Sequence, residues 1–146
     1  MNILLATIGF IFILQDTSSW NVNDQGVLIN EYDVVSYFNG SPEKGVSGFT
    51  AEHDGFKLYF SSQENKELFL TNPEKYLPKY GGYCAYAMGV DGSKVKIDPR
   101  TYKIIDGQLY LFYNFWGNNT LKTWNKDEKK LKEAADSYWQ QLMTSQ

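Results

Sequence analysis

His53-Asp54-Gly55-Phe56-Lys57-Leu58-Tyr59-Phe60-Ser61-Ser62 is the stretch on which the fold turns. Asp54-Gly55 supplies the two positive-φ positions of a two-residue hairpin turn, so Phe49 to His53 and Phe56 to Phe60 are expected to pair as antiparallel strands. Ser61, followed three residues later by Glu64, has the spacing of a capping box and predicts a helix over Ser62 to Leu70 that turns Leu68 and Phe69 inward. Asn72-Pro73 restarts the chain as a short helical turn. Upstream, Val27-Leu28-Ile29 reads as a short strand. Asp33 reads as the N-cap of a helical turn through Val34, Val35, Tyr37 and Phe38, which Asn39-Gly40-Ser41-Pro42 breaks.

The hairpin signal returns downstream, where Asp106-Gly107 separates Tyr102-Lys103-Ile104-Ile105 from Leu109-Tyr110-Leu111-Phe112-Tyr113. Two hairpins with aromatic faces predict one antiparallel sheet. From Leu121 onward Trp124, Leu131, Ala135, Tyr138 and Leu142 recur at helical spacing, with Lys126, Glu128, Lys129, Lys132 and Glu133 on the other side. A long C-terminal helix covering the sheet follows from that pattern. No repeat of fixed period is visible, and the mixed charges of residues 126–133 read as a solvated helix face. The expected class is α+β: a small antiparallel sheet built from two β-hairpins, packed against short helices and a long C-terminal helix.

A chain of 146 residues with 42% hydrophobic and 16% aromatic content is long enough for one packed domain and too short for two ordinary ones. Its net charge of -3 is spread over interspersed acids and bases with no basic stripe, which argues against a nucleic-acid partner. Against 11 Tyr, 9 Phe and 4 Trp there is a single Cys, so aromatic packing must hold the fold and no internal disulfide can. The apolar run from Met1 to Leu14 reads as the core of a signal peptide, a region usually about 7–15 residues long. An uncleaved anchor or a buried N-terminal strand is the alternative, because no Lys or Arg precedes the run and it has no clear small-x-small cleavage site. The expected organisation is a leader over residues 1–20 and a single domain over residues 21–146. The domain would be exported to the periplasm or secreted, with no stable membrane association unless the leader is retained.

Taken in order, Asp54-Gly55, the Phe56 to Phe60 alternation, Asn72-Pro73-Glu74-Lys75-Tyr76 and Tyr80-Gly81-Gly82-Tyr83-Cys84-Ala85 resemble the YHS domain family. The likeness is to its exported stand-alone members, which share the Tyr-Gly-Gly-Tyr-Cys-Ala segment, and it covers most of the chain after the leader. Some members of the family sit in copper-transporting ATPases and diiron monooxygenases. Their metal-associated domains carry extra cysteines, one beside the aromatic pair that ends the strand. Here Ser61 follows Tyr59-Phe60 and Gln63 to Leu68 contains no cysteine, so that multi-thiolate site does not carry over.

Chemistry concentrates between Tyr80 and Met88. Cys84 and Met88 stand four apart and share a face in a helix or a strand. Thiolate and thioether ligands favour Cu(I), and His53 adds an imidazole. The same residues also read as structure: a lone cysteine as a small buried hydrophobe, Met88 as a gap filler against aromatics, and His53 as surface beside a turn. If Gly81-Gly82 opens a helix, Cys84 falls in its first turn, a setting in which thiols become reactive, although any disulfide would have to join another molecule. Tyr76, Tyr80, Tyr83 and Tyr86, with Tyr102, Trp124 and Trp139, offer a groove for a flat or apolar small ligand. Phosphate loop, nucleophile elbow and two-histidine zinc motif are absent from the sequence. The sequence therefore points to a non-enzymatic binding module. Copper at Cys84, Met88 and His53 is the first reading, a small organic ligand among the four tyrosines the second, and a redox-active Cys84 the third.

Overall fold

The computed structural model describes residues 19–146. In it β1 (Val46–His53) pairs with β2 (Phe56–Phe60) across Asp54-Gly55, and β3 (Asp98–Ile105) pairs with β4 (Gln108–Phe112) across Asp106-Gly107. Both residues of each turn have positive φ, 47° and 83° in the first and 50° and 75° in the second, as a type I′ turn demands. The helices are α1 (Gln63–Thr71), α2 (Pro73–Tyr76), α3 (Ala85–Asp91), α4 (Thr120–Trp124) and α5 (Glu128–Thr144). The chain is α+β with antiparallel hairpins, short helices and a long C-terminal helix, as expected. The hairpins do not share one sheet, however, and each closes as a two-stranded sheet of its own. The free edge of β2 is taken by Val27, bridged in parallel to Lys57, and that of β4 by Pro78, bridged in parallel to Leu109. An edge already paired cannot accept a further strand.

The segments around the hairpins show an internal repeat that the sequence did not reveal. In the first half Ile29, Asn30 and Glu31 are consecutively left-handed, and in the second half Tyr80, Gly81 and Gly82 are. Tyr32 N–H then closes on Ile29 O at 3.2 Å, and Tyr83 N–H on Tyr80 O at 3.0 Å. Next, Asp33 N–H donates to Glu43 O and Cys84 N–H to Val95 O, both at 2.9 Å. The hairpins that follow are bulged at matching places, between Val46 and Thr50 and between Asp98 and Tyr102. Finally, the residue after each hairpin returns its N–H to the residue at the matching position: Ser61 to Asp33 Oδ2 at 2.9 Å, and Tyr113 to Cys84 Sγ at 3.3 Å. Asp33 and Cys84 thus occupy equivalent sites. Few side chains coincide between the halves, Tyr32 with Tyr83 and Phe60 with Phe112 among them, which is why pattern matching missed the duplication.

Asp33 is fully buried and, as expected, starts a helical turn: its Oδ1 accepts from Val35 N–H at 2.8 Å and Ser36 N–H at 3.3 Å. Its Oδ2 accepts from Ser61 N–H and from Ser61 Oγ at 2.8 Å, and from Asn65 Nδ2 at 2.8 Å. Because Ser61 is drawn to Asp33, the N-cap of α1 is Ser62, whose Oγ accepts from Asn65 N–H at 3.1 Å. Helix α1 buries Phe69, as expected, but leaves Leu68, also expected inside, 43% exposed.

The C-terminal periodicity is split at Asn125–Asp127 into α4 and α5, and Trp124 Nε1 donates to Glu128 across the break at 2.9 Å. Helix α5 lies against α3 at the missing side chain of Gly89, where a Cβ would stand 2.6 Å from Leu131 O. Leu131, Trp139 and Leu142 close a second core over Tyr80, Met88, Tyr110, Phe112 and Trp124. A third hairpin, β5 (Asn114–Phe115) with β6 (Asn118–Asn119), turns at Trp116-Gly117 and was not anticipated. The expected leader lies outside the described residues up to residue 18. Its last two positions pack on the domain, with Ser19 Oγ bonded to Gln146 and the Trp20 ring tilted against Phe56 at 4.6 Å. No helix among the described residues is long and apolar enough to cross a membrane.

Asp33→Ala leaves several buried donors without an acceptor and is expected to lower unfolding free energy by on the order of 3 kcal/mol in urea titration. Cys84→Ala, at the equivalent position, should cost less, about 1–2 kcal/mol, because sulfur is a weak acceptor. Gly89→Ala should cost about 1–3 kcal/mol by forcing α3 and α5 apart.

Candidate functional site

Cys84 is fully buried at the N-cap position of α3. Two glycines bring the chain there. A Cβ on Gly81 would sit 1.9 Å from Ser19 O, and one on Gly82 2.8 Å from Ile29 Cγ2, so the pair is required by packing. Cys84 Sγ accepts from Tyr113 N–H and lies 3.6 Å from Thr120 Oγ1. The Thr120 hydroxyl donates to Tyr113 O at 2.7 Å, which leaves the thiol as donor to Thr120. The hydrogen-bonding capacity of the sulfur is therefore spent inside the fold.

The three residues expected to hold a metal are not brought together. Met88 N–H bonds Cys84 O at 3.0 Å, but the Met88 side chain packs in the second core and Cys84 in the first. His53 ends β1 with its ring edge-on to Phe56 and Phe69 at 5.8 and 5.9 Å and Nε2 3.4 Å from the Asp54 carboxylate. Among the described residues no three His, Cys, Asp or Glu side chains converge.

The four tyrosines do not share a groove either. Tyr76 is buried edge-on to Phe38 at 5.2 Å. Tyr83 donates its hydroxyl to Trp20 O at 3.2 Å. Tyr80 donates to Asp136 at 2.7 Å, and burial, then that bond, holds its phenol well above the usual range. It borders a cavity of about 370 Å³ with Trp20, Lys79 and Trp139. Tyr86 alone belongs to a separate cavity of about 300 Å³ that ends on Cys84.

That second space has a clear origin in the repeat. In the first half, α1 follows the hairpin and Asn65 seals Asp33. In the second half the short β5–β6 hairpin takes the place of such a helix, only Thr120 reaches Cys84, and a hollow remains. Cys84, Val95 and Tyr113 line it on the hairpin side, and Tyr86, Ala87 and Val90 on the α3 side. It runs from the fully buried Cys84 to Val90, which is 52% exposed. Asp91 is its sole charged residue.

Beside it, the tip of the β5–β6 hairpin carries Trp116 at φ 56°, 95% exposed and two residues from the cavity-lining Asn118. A bulky side chain in the left-handed region costs roughly 1 kcal/mol, and an indole in water gains nothing from packing. The sequence reasoning missed Val90, Val95, Tyr113 and Thr120. The available signal was Phe115-Trp116-Gly117, an aromatic run that ends in a turn residue and so cannot all be core.

No family model, curated protein or solved structure matches the chain.

Replacing Trp116 by Asn, the residue type that two-residue turns favour before Gly, is expected to raise stability by about 1 kcal/mol in urea or thermal unfolding. A fall in stability would show that the indole is packed.

Proposed function

We propose that this chain is an exported, non-enzymatic binding module of the YHS type, whose ligand is a small organic molecule held in the cavity between α3, Cys84 and the β5–β6 hairpin. The cavity itself carries the reading. Its walls are Tyr86, Val90, Val95 and Tyr113, with Asp91 and Ser93 as polar lining residues, the mixture of apolar surface and few polar handles that small-molecule sites use. A volume of about 300 Å³ is at the lower end of such sites and suits a single-ring compound. The soft-metal reading of Cys84, Met88 and His53 has no comparable support, since their side chains pack in separate places. A redox role for Cys84 is likewise less favoured by a thiol that is fully buried and hydrogen-bonded.

The test is titration of the purified protein with benzyl alcohol, benzylamine and benzoate, followed by NMR. At least one should shift the amides of Tyr86, Val90, Val95 and Tyr113, and Ala87→Phe, which fills the space, should abolish the shifts while keeping a folded spectrum. Binding that maps to the Tyr80 cavity, or survives Ala87→Phe, would sink the assignment. Tight Cu(I) binding lost in both Cys84→Ser and Met88→Leu would restore the metal reading in its place.

A further inference from the structure

We infer that the ligand of this cavity is a small organic cation, an ammonium group on an apolar or aromatic body, with Asp91 as its counter-ion and Tyr86 and Tyr113 as the rings it lies against. The inference rests on the binding reading above and adds to it the charge of the ligand.

Charge is the first argument. Asp91 is the single ionised group among the lining residues, and it ends α3, so the carbonyl end of that helix adds negative potential at the same place. Asp91 is exposed at the cavity's edge, and its Oδ1 accepts from Ser93 N–H at 3.1 Å and from Ser93 Oγ, a neighbouring lining residue. An acid in the last turn of a helix is unfavourable by itself, and a bound cation offsets that cost.

The second argument comes from the rings. Four other aromatic side chains have a lysine ammonium above them: Tyr76, Tyr80, Tyr83 and Phe115, at 4.7–5.9 Å. Lys94 and Lys96 flank Val95 in sequence, yet their ammonium groups stand over Tyr83 and Phe115, and neither lysine lines the cavity. Among the described residues no lysine lies over Tyr86 or Tyr113. The hollow therefore combines two aromatic residues and a carboxylate, with no Lys, Arg or His among its described lining residues, which is the chemistry that recognises an amine or a quaternary ammonium. A carboxylate ligand would meet the opposite field, with Asp91 repelling it.

The same three compounds separate this inference from the one it depends on, because they share a ring and differ in charge. Calorimetric titration should rank benzylamine about tenfold or more tighter than benzyl alcohol, with benzoate weakest. Asp91→Asn should bring benzylamine to within about twofold of benzyl alcohol. Tyr86→Leu should weaken benzylamine more than benzyl alcohol, a difference that a purely steric wall would not produce. If benzyl alcohol or benzoate binds as tightly as benzylamine, and Asp91→Asn changes nothing, the cation is wrong while the cavity remains a binding site. If none of the three binds, both inferences fall together.

Discussion

A single buried carboxylate organises the first half of this molecule. Asp33 has no exposed surface, and its two oxygens accept from a helical turn, from the end of the first hairpin and from the first turn of α1. Burying a charge without a counter-ion is tolerable only when hydrogen bonds replace its hydration, and here five donors do so. The consequence reaches beyond the residue. Ser61 is held away from the helix, Ser62 becomes the cap, and the register of α1 against Phe60 follows. The two halves are then joined by Tyr37, which reaches Pro99 O at 2.6 Å and meets Tyr102 edge-on at 5.1 Å.

Against that, the second half uses the same backbone with a weaker acceptor. Cys84 stands where Asp33 stands and receives the equivalent N–H, but sulfur gathers fewer and longer bonds than a carboxylate. The side chain that closes the first site, Asn65, has no equivalent on the second, where a two-stranded ribbon follows the hairpin instead of a helix. A duplicated frame with one sealed and one open copy is a simple physical route to a cavity. It also explains why the lone cysteine, conspicuous in the sequence, ends as a buried wall of that cavity.

The strain in the chain is distributed consistently with that picture. Asp54 and Asp106 adopt left-handed conformations at turns where a short polar side chain tolerates them. Trp116 adopts one without that excuse, beside the open cavity and almost wholly exposed. Local rules are broken most often where a site needs a particular surface, and here the break lies next to the one hollow that the repeat leaves unsealed.

The local chemistry of the fold was legible in the sequence. Asp-Gly dipeptides set both main hairpins because their backbone freedom suits a type I′ turn, Asp33 announced a cap, Pro73 restarted a helix, and the spacing of Trp124, Leu131 and Ala135 announced C-terminal helices. Those signals act over a few residues and depend on intrinsic backbone and side-chain preference. What required the tertiary structure was every relation between distant residues. Whether Ser61 or Ser62 capped α1 depended on a carboxylate 28 positions earlier. Cys84, Met88 and His53 shared ligand chemistry on paper, but packing in separate parts of the core divided them, and the four tyrosines were scattered for the same reason. The duplication was invisible because backbone hydrogen bonds, not side chains, repeat. The cavity was invisible because a hollow is defined by what fails to fill it, and no residue type encodes that.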